Sequence, residues 1–475
     1  PTHFWNILQP YLDNKGGSDQ RCTVSHYCFN PEAFVGQQLN PLIRPLEDQG
    51  LLKVFYQTVV KTVDIDLSVS GPIESVTGIR RVPKRDQGVE LNGFDKFLSE
   101  DLTDWYSPVE SARYTKEAIQ FVGRGGRTPV VIEATEFGDV LALSTFSYLQ
   151  GVEQFDGSTN VLDSTCGQAT VFPFTQLHLA APETEVEPER VPALTVAHPE
   201  HFELRSSWQD IWQYRRLGSF DGASNAGEVT MQNWEHGNDY PFGYLFLSKE
   251  EAQIQALTDW QGGINMETLR QLEGHAYGWH DFFKATNPAG DNMITMPRGT
   301  SSWFKTASGL SKLPYLRDTR RSIGIDDFVL SSDALRGDGS VQTTGEVFPD
   351  RVALGAYIMD FHSLTSDICA LPEYVKEIDD NDALRMSTLP FYIPFRALTH
   401  REIPNMLVAG KTMAQSFVAN AAIRLQPTEW STGVAAGAAA AHMVQNNMET
   451  TTQAYGDIGN IQQRIRAHAP IDWTL

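Results

Sequence analysis

The sequence predicts an α/β fold: a parallel sheet gathered from residues 1–64, 110–165 and 395–447, with a mostly antiparallel region between about 166 and 394. Three observations point there. Thr128-Pro-Val-Val-Ile-Glu-Ala-Thr is a short, continuous apolar run, as in parallel strands covered on both faces. Pro404-Asn-Met-Leu-Val-Ala-Gly is a second such run, ending in glycine. Pro427 to about Asn446 is an alanine-rich helix with proline in its first turn.

Taken in order, a loop-like start leads to a helix over Asn30–Asp48, opened by an Asn cap and Pro31. Leu52–Val63 is rich in β-branched and aromatic residues and reads as a strand, and Gly71-Pro72 separates it from Ile73–Val82 in a hairpin or meander. Asp95–Gly123 is polar and helical in parts, and the first apolar run follows it. Ala181–Pro192 carries several Pro and Glu residues and reads as an exposed excursion. The next hundred residues are dense in aromatics, Trp208, Trp212, Trp234, Trp260, Trp279 and Trp303 among them, which build a core or the wall of a pocket. After Glu449 the chain reads as a surface tail or a final docking segment.

Composition narrows the function. Among 475 residues, 37 basic against 59 acidic give −22, which disfavours nucleic acid as a partner because a phosphate backbone is bound by clustered cations. No apolar run approaches the roughly 20 residues of a membrane span. The protein reads as soluble, cytoplasmic or exported. Four cysteines, Cys22, Cys28, Cys166 and Cys369, are too scattered for a disulfide scaffold, although a Cys22–Cys28 bridge is open to an exported chain. No metal-ligand spacing and no nucleophile elbow occurs, so no metal is expected.

The chemistry concentrates in Asn405-Met-Leu-Val-Ala-Gly-Lys, Asn420-Ala-Ala-Ile-Arg-Leu-Gln-Pro-Thr and Gly433-Val-Ala-Ala-Gly. This is strand, glycine turn, loop and helix. Gly410 lets backbone approach a ligand closely, while the helix at Pro427 aims N–H groups and a positive dipole end at the same place. Gly433 and Gly437, four apart, leave one helix face bare for packing against the sheet.

The three pieces resemble the C-terminal cofactor-contacting segment of FAD-dependent oxidoreductases of the glutathione-reductase-like superfamily. Val130-Val-Ile-Glu-Ala-Thr-Glu-Phe-Gly-Asp-Val resembles that family's returning strand and turn, and departs from it at Glu136, where glycine is usual. Leu52–Val82, Leu313–Arg321, Phe348–Gly355, Asp360-Phe-His and Pro390–Leu398 extend the likeness over nearly the whole chain. The resemblance implies FAD as cofactor, with Val59, Ala134, Thr135, Gly138, Asp139, Ala409, Gly410, Lys411, Arg424, Pro427 and Thr428 around it. It also implies domains: residues 1–165 and 395–447 as parts of the FAD-binding domain, 166–394 as the substrate-binding domain and 448–475 as a C-terminal tail.

The family's G-x-G-x-x-G fingerprint does not occur here; Gly123-Arg-Gly-Gly126 precedes a strand and no helix follows it. Three explanations stand open: a processed two-chain enzyme, a heteromer with the nucleotide-binding turn on a second polypeptide, or a chain that has lost FAD. An oligomeric assembly with such a partner is expected. The flavin carries the redox chemistry, so the protein supplies a proton acceptor and orientation. His362, His275 and Tyr277 are the catalytic candidates, with His236 beside Glu235 a further histidine. Arg317, Arg320 and Trp279 are the substrate-binding candidates, with the arginines offering a fork to a carboxylate. The expected activity is oxidation of a small amine, amino acid or alcohol by hydride transfer to FAD. The rival is a non-catalytic binding or assembly subunit with an inherited flavoprotein fold.

Overall fold

In the computed structural model, which describes residues 2–14, 24, 30–67, 71–86, 89–90, 94–183, 198–217, 226–336, 343–362, 369 and 371–468, the chain starts in a helix, Thr2–Asn14, and not in the loop expected there, because Leu8 and Tyr11 bury against Phe34; the next helical stretch opens where the cap residue stands. Asn30 Oδ1 accepts from the N–H groups of Glu32 and Ala33 at 2.9 and 3.3 Å. The helix Pro31–Phe34 passes through one wider π turn, Val35–Leu39, into Asn40–Asp48.

Thr58–Ile65 (β1) then pairs antiparallel with Ile73–Pro83 (β2). After the helix Leu98–Tyr106 (α1), Tyr114–Val122 (β3) adds to β2, giving the order β1-β2-β3. The hairpin read across Gly71-Pro72 forms, and it puts the Leu52–Val63 segment in an antiparallel unit and not in the parallel sheet expected of it, since so short a connection allows no crossover. The polar stretch before Gly123 contains a strand as well as a helix. Only Tyr114 of β3 is fully buried, so no apolar run marks it.

Val131–Glu133 (β4) is the first of the continuous apolar runs. The middle of the chain forms a four-stranded antiparallel sheet, with Phe174–His178 (β5) and Val229–Gln232 (β6) at its centre and Arg216–Leu217 and Ile294–Thr295 at its edges. The helix Met266–Ala285 (α2) packs beside it and buries Trp279 and Phe283. Trp208 stacks on Trp212 at 5.2 Å and on Phe283 at 4.8 Å, so this aromatic density is mostly core.

Met406–Val408 (β7) lies parallel to β4, with Met406 opposite Val131 and Val408 opposite Glu133. Asn405 fastens this junction: its amide donates to the carbonyls of Ile73 and Pro129 at 2.8 and 2.7 Å and accepts from Ile73 N–H at 2.9 Å. The helix Gln426–Gln445 (α3) packs Ala435, Ala436, Ala439 and Met443 inward, against β7 and the strand Arg351–Gly355. Gly433 and Gly437 do not serve that packing. A Cβ on either would meet nothing within 4 Å, so both sit on the open face of α3. The segment after Glu449 docks through Ile461 and Ile465 of the helix Ile458–His468.

Cys166 and Cys369 form a disulfide across 203 residues of sequence, a pairing that the sequence did not announce; the fold, not their spacing, brings them together. The Cys22–Cys28 question lies outside the described residues. Among the described residues no helix is long and apolar enough to cross a membrane.

Candidate active site

Two cavities are lined in part by the start of α3 and the residues just before it. The smaller, about 180 Å³, is walled by Ala134, Thr135 and Glu136 after β4, by Ala409, Gly410 and Lys411 after β7, and by Glu429 and Gly433 of α3. Gly410 takes a left-handed φ of 71°, and its N–H donates to Thr432 Oγ1 at 2.9 Å, tying the turn to the helix. The helix start offers fewer free donors than expected, since Pro427 has none and the N–H groups of Thr428 and Glu429 both turn back to the Leu425 carbonyl. Lys411 Nζ lies 2.8 Å from Glu136 and 3.4 Å from Glu429. Burial opposes the charge on Lys411, yet the two carboxylates raise its pKa overall; burial raises that of Glu429 despite the lysine.

The larger cavity, about 380 Å³, falls within the roughly 300–1,000 Å³ of small-molecule sites. Leu425, which caps α3, and Gln426, its first residue, lie on its wall, one turn from Glu429, so the same helix start separates the two spaces. Its polar end is a chain of alternating charges. Arg317 Nη2 donates to Asp239 Oδ1 at 2.9 Å and to Asn233 Oδ1 at 3.0 Å. Asp239 Oδ2 lies 2.6 Å from His362 Nδ1, and His362 Nε2 is 3.4 Å from Asp360 Oδ2. Arg424 closes the chain, donating to Asp360 Oδ2 at 3.1 Å and to the Tyr315 hydroxyl at 2.7 Å. Burial alone would push both aspartates up, but Arg317 and His362 at Asp239, and His362 and Arg424 at Asp360, hold their carboxyls well below the usual range. Burial pushes the Tyr357 hydroxyl, which donates to Asp360 Oδ2 at 3.2 Å, up to about 12.

These residues come from distant parts of the chain and are fixed from behind. His362 N–H donates to Gln168 Oε1, and its carbonyl accepts from Ala169 N–H, both at 3.3 Å. The Asn420 amide, from the middle sequence piece, donates to the Arg317 carbonyl at 2.6 Å.

The candidates divide clearly. His362, Arg317 and Arg424 line the larger cavity, and Ala134, Thr135, Ala409, Gly410 and Lys411 the smaller. Pro427 and Thr428 lie in the helix turn between them. The rest line neither cavity. His275 is buried among the rings of His201, Phe202 and Tyr240, and burial, with His201 adding, pushes its pKa down to about 3. The Tyr277 hydroxyl donates to the Ser308 carbonyl, and Trp279 Nε1 to Gln232 Oε1 at 2.9 Å. Arg320 is spent on the carbonyls of Phe137, Gly262 and Gly263 and on Gln150, clamping the turn after β4 from behind. Gly138 supports that clamp, for a Cβ there would stand 2.7 Å from Arg320 Cβ. Asp139 is buried, accepting from Trp260 Nε1 at 2.8 Å and Tyr106 OH at 3.0 Å. Val59 is half-buried in β1, and His236 packs 6.0 Å from His201. Sequence reasoning missed Arg215, Asn233, Asp239 and Tyr315; none sits in a local pattern that sets it apart.

The family model described as FAD dependent oxidoreductase matches residues 103–464, about three quarters of the chain. The chain belongs to that family. No curated protein and no solved structure gives a match. As an FAD dependent oxidoreductase, the chain combines a small cavity after the parallel strands with a larger, charge-lined cavity by the start of α3.

Proposed function

We propose that the protein binds FAD with its uncharged ring-and-chain part in the smaller cavity, and oxidises a small amine, amino acid or alcohol held in the larger one. Supporting the cofactor's placement, Ala134, Ala409, Gly410 and Gly433 leave backbone exposed to a flat group, and a Cβ on Gly433 would meet nothing. The pyrophosphate does not fit there, because Glu136 and Glu429 put two carboxylates beside one ammonium. FAD, when bound, supplies the hydride acceptor.

The observation that carries the reading is His362 on the wall of the larger cavity, tied to Asp239 through Nδ1 at 2.6 Å. With Nδ1–H donated to Asp239, the lone pair sits on Nε2, which takes the proton leaving the substrate's N–H or O–H. Asp360, 3.4 Å from Nε2, stabilises the imidazolium by its charge together with Asp239. Arg317 and Arg424 hold the two aspartates ionised. The disulfide, 203 residues across, supports folding in an oxidising compartment.

The test is an absorption spectrum of the native protein with every co-purifying chain identified by mass, followed by a substrate screen on wild type and His362→Gln. A flavin band and a kcat about 100-fold or more lower in the variant, with flavin retained, are expected. A colourless protein, or equal turnover in the variant, would sink the reading.

A further inference from the structure

Of the three guanidinium groups on the wall of the larger cavity, two are spoken for. Arg317 is paired with Asp239 at 2.9 Å and Arg424 with Asp360 at 3.1 Å. Arg215 is held differently. Its Nη1 donates to the backbone carbonyl of Asn233, and the guanidinium lies over the Tyr214 ring, 4.8 Å from the centroid. Among the described residues no carboxylate lies within ion-pair distance of it. An arginine keeps its charge and offers five donors, so most of this fork remains to be satisfied.

The charges on this wall are therefore unbalanced, three guanidiniums against the two carboxylates that pair with them. Burial lowers the pKa of Arg215, with Tyr214 and Asp239 working the other way, so an added anion would relieve a cost already borne by the fold. The position is also rigid. Met231 N–H donates to the Arg215 carbonyl at 3.0 Å as β6 pairs with its edge strand, and Asn233 touches Arg215 through its backbone and Arg317 through its side chain. The same cavity has an apolar part of its wall, with Leu217, Met231, Trp303 and Phe304.

We infer that Arg215 anchors a substrate carboxylate, so that the cavity takes an amino or hydroxy acid with an apolar side chain and not a simple amine or alcohol. The inference rests on the proposed function only in taking this cavity as the substrate site. Arg317 and Arg424 then keep the proton-accepting end in order, while Arg215 fixes the substrate's acid group beside the apolar wall.

The test needs no turnover. Binding of 3-phenylpropanoate and of its neutral amide, neither of which has an amine or alcohol to oxidise, is measured by titration calorimetry on the protein as purified with its co-purifying chains. Wild type is compared with Arg215→Met and Arg215→Lys. Wild type is expected to bind the acid at least about tenfold more tightly than the amide, the gain of a charge-assisted hydrogen bond. Arg215→Met should bring the acid down to the amide's level with the amide unchanged. Arg215→Lys should bind the acid several-fold more weakly, because it loses the planar fork. No acid preference in wild type, or the same preference in Arg215→Met, overturns the assignment. If the Met variant does not fold, unchanged acid affinity in the Lys variant overturns it. Acid-selective, Arg215-dependent binding in a protein without flavin or turnover would defeat the oxidoreductase reading and leave this one standing.

Discussion

At the scale of single residues, the site is built from buried charges that depend on one another. Asp239 and Arg317 each have side chains about 1% exposed, so removing one partner leaves the other charged and buried. Asp239→Ala is expected to cost about 3–5 kcal/mol in urea denaturation, with part recovered when Arg317→Met is added. Glu133 makes a second prediction. Burial pushes its carboxyl up to about 7 from an ordinary 4.5, even though the N–H groups of Thr135 and Val140 pull it down. The folded state keeps a proton that the unfolded chain releases, so this residue's contribution to stability falls as the pH rises from about 4.5 to about 7. Glu133→Gln stays neutral and should flatten the pH dependence across that window, by up to about 3 kcal/mol. His362 was legible in the sequence because Asp360-Phe-His resembles a family motif. Asp239 was not, since its partners Arg317 and His362 lie 78 and 123 residues away, and Arg215 was not, since what sets it apart is its place on the cavity wall without a paired carboxylate among the described residues.

At the scale of elements, the two continuous apolar runs announced β4 and β7, although only β7 is buried along its length and β4 leaves Ile132 exposed, and the alanine-rich stretch announced α3. The edge strand β3 escaped notice for the converse reason, its residues being largely exposed. The helix glycines offer a direct comparison. Neither Gly433 nor Gly437 would lose space to a Cβ, so alanine at either should raise the melting temperature through a gain of about 1 kcal/mol in helix propensity. Gly433 lines the smaller cavity and Gly437 does not. Gly433→Ala is therefore expected to lower the flavin-to-protein absorbance ratio and Gly437→Ala to leave it unchanged. Equal ratios would remove Gly433 from the cofactor's surroundings.

At the scale of the whole molecule, the α/β class was legible because patterning fixes element type, whereas the covalent link between Cys166 and Cys369 was not, because it depends on the finished fold. Closing so long a loop is worth up to about 5 kcal/mol by restriction of the unfolded chain. Reduction, or serine at both cysteines, should lower the urea midpoint accordingly. Turnover should suffer as well, since Gln168 and Ala169, which hold the His362 backbone, lie two and three residues from Cys166. The same bond has a consequence for the chain's integrity. It makes residues 166–369 a covalent ring that contains Arg215, Asp239, Arg317 and His362, with Arg424 and α3 outside it. One protease cut anywhere inside the ring leaves the two fragments joined, so a nicked molecule would run as one band without reductant and as two with it, and could keep its active site assembled after losing the continuity of its backbone.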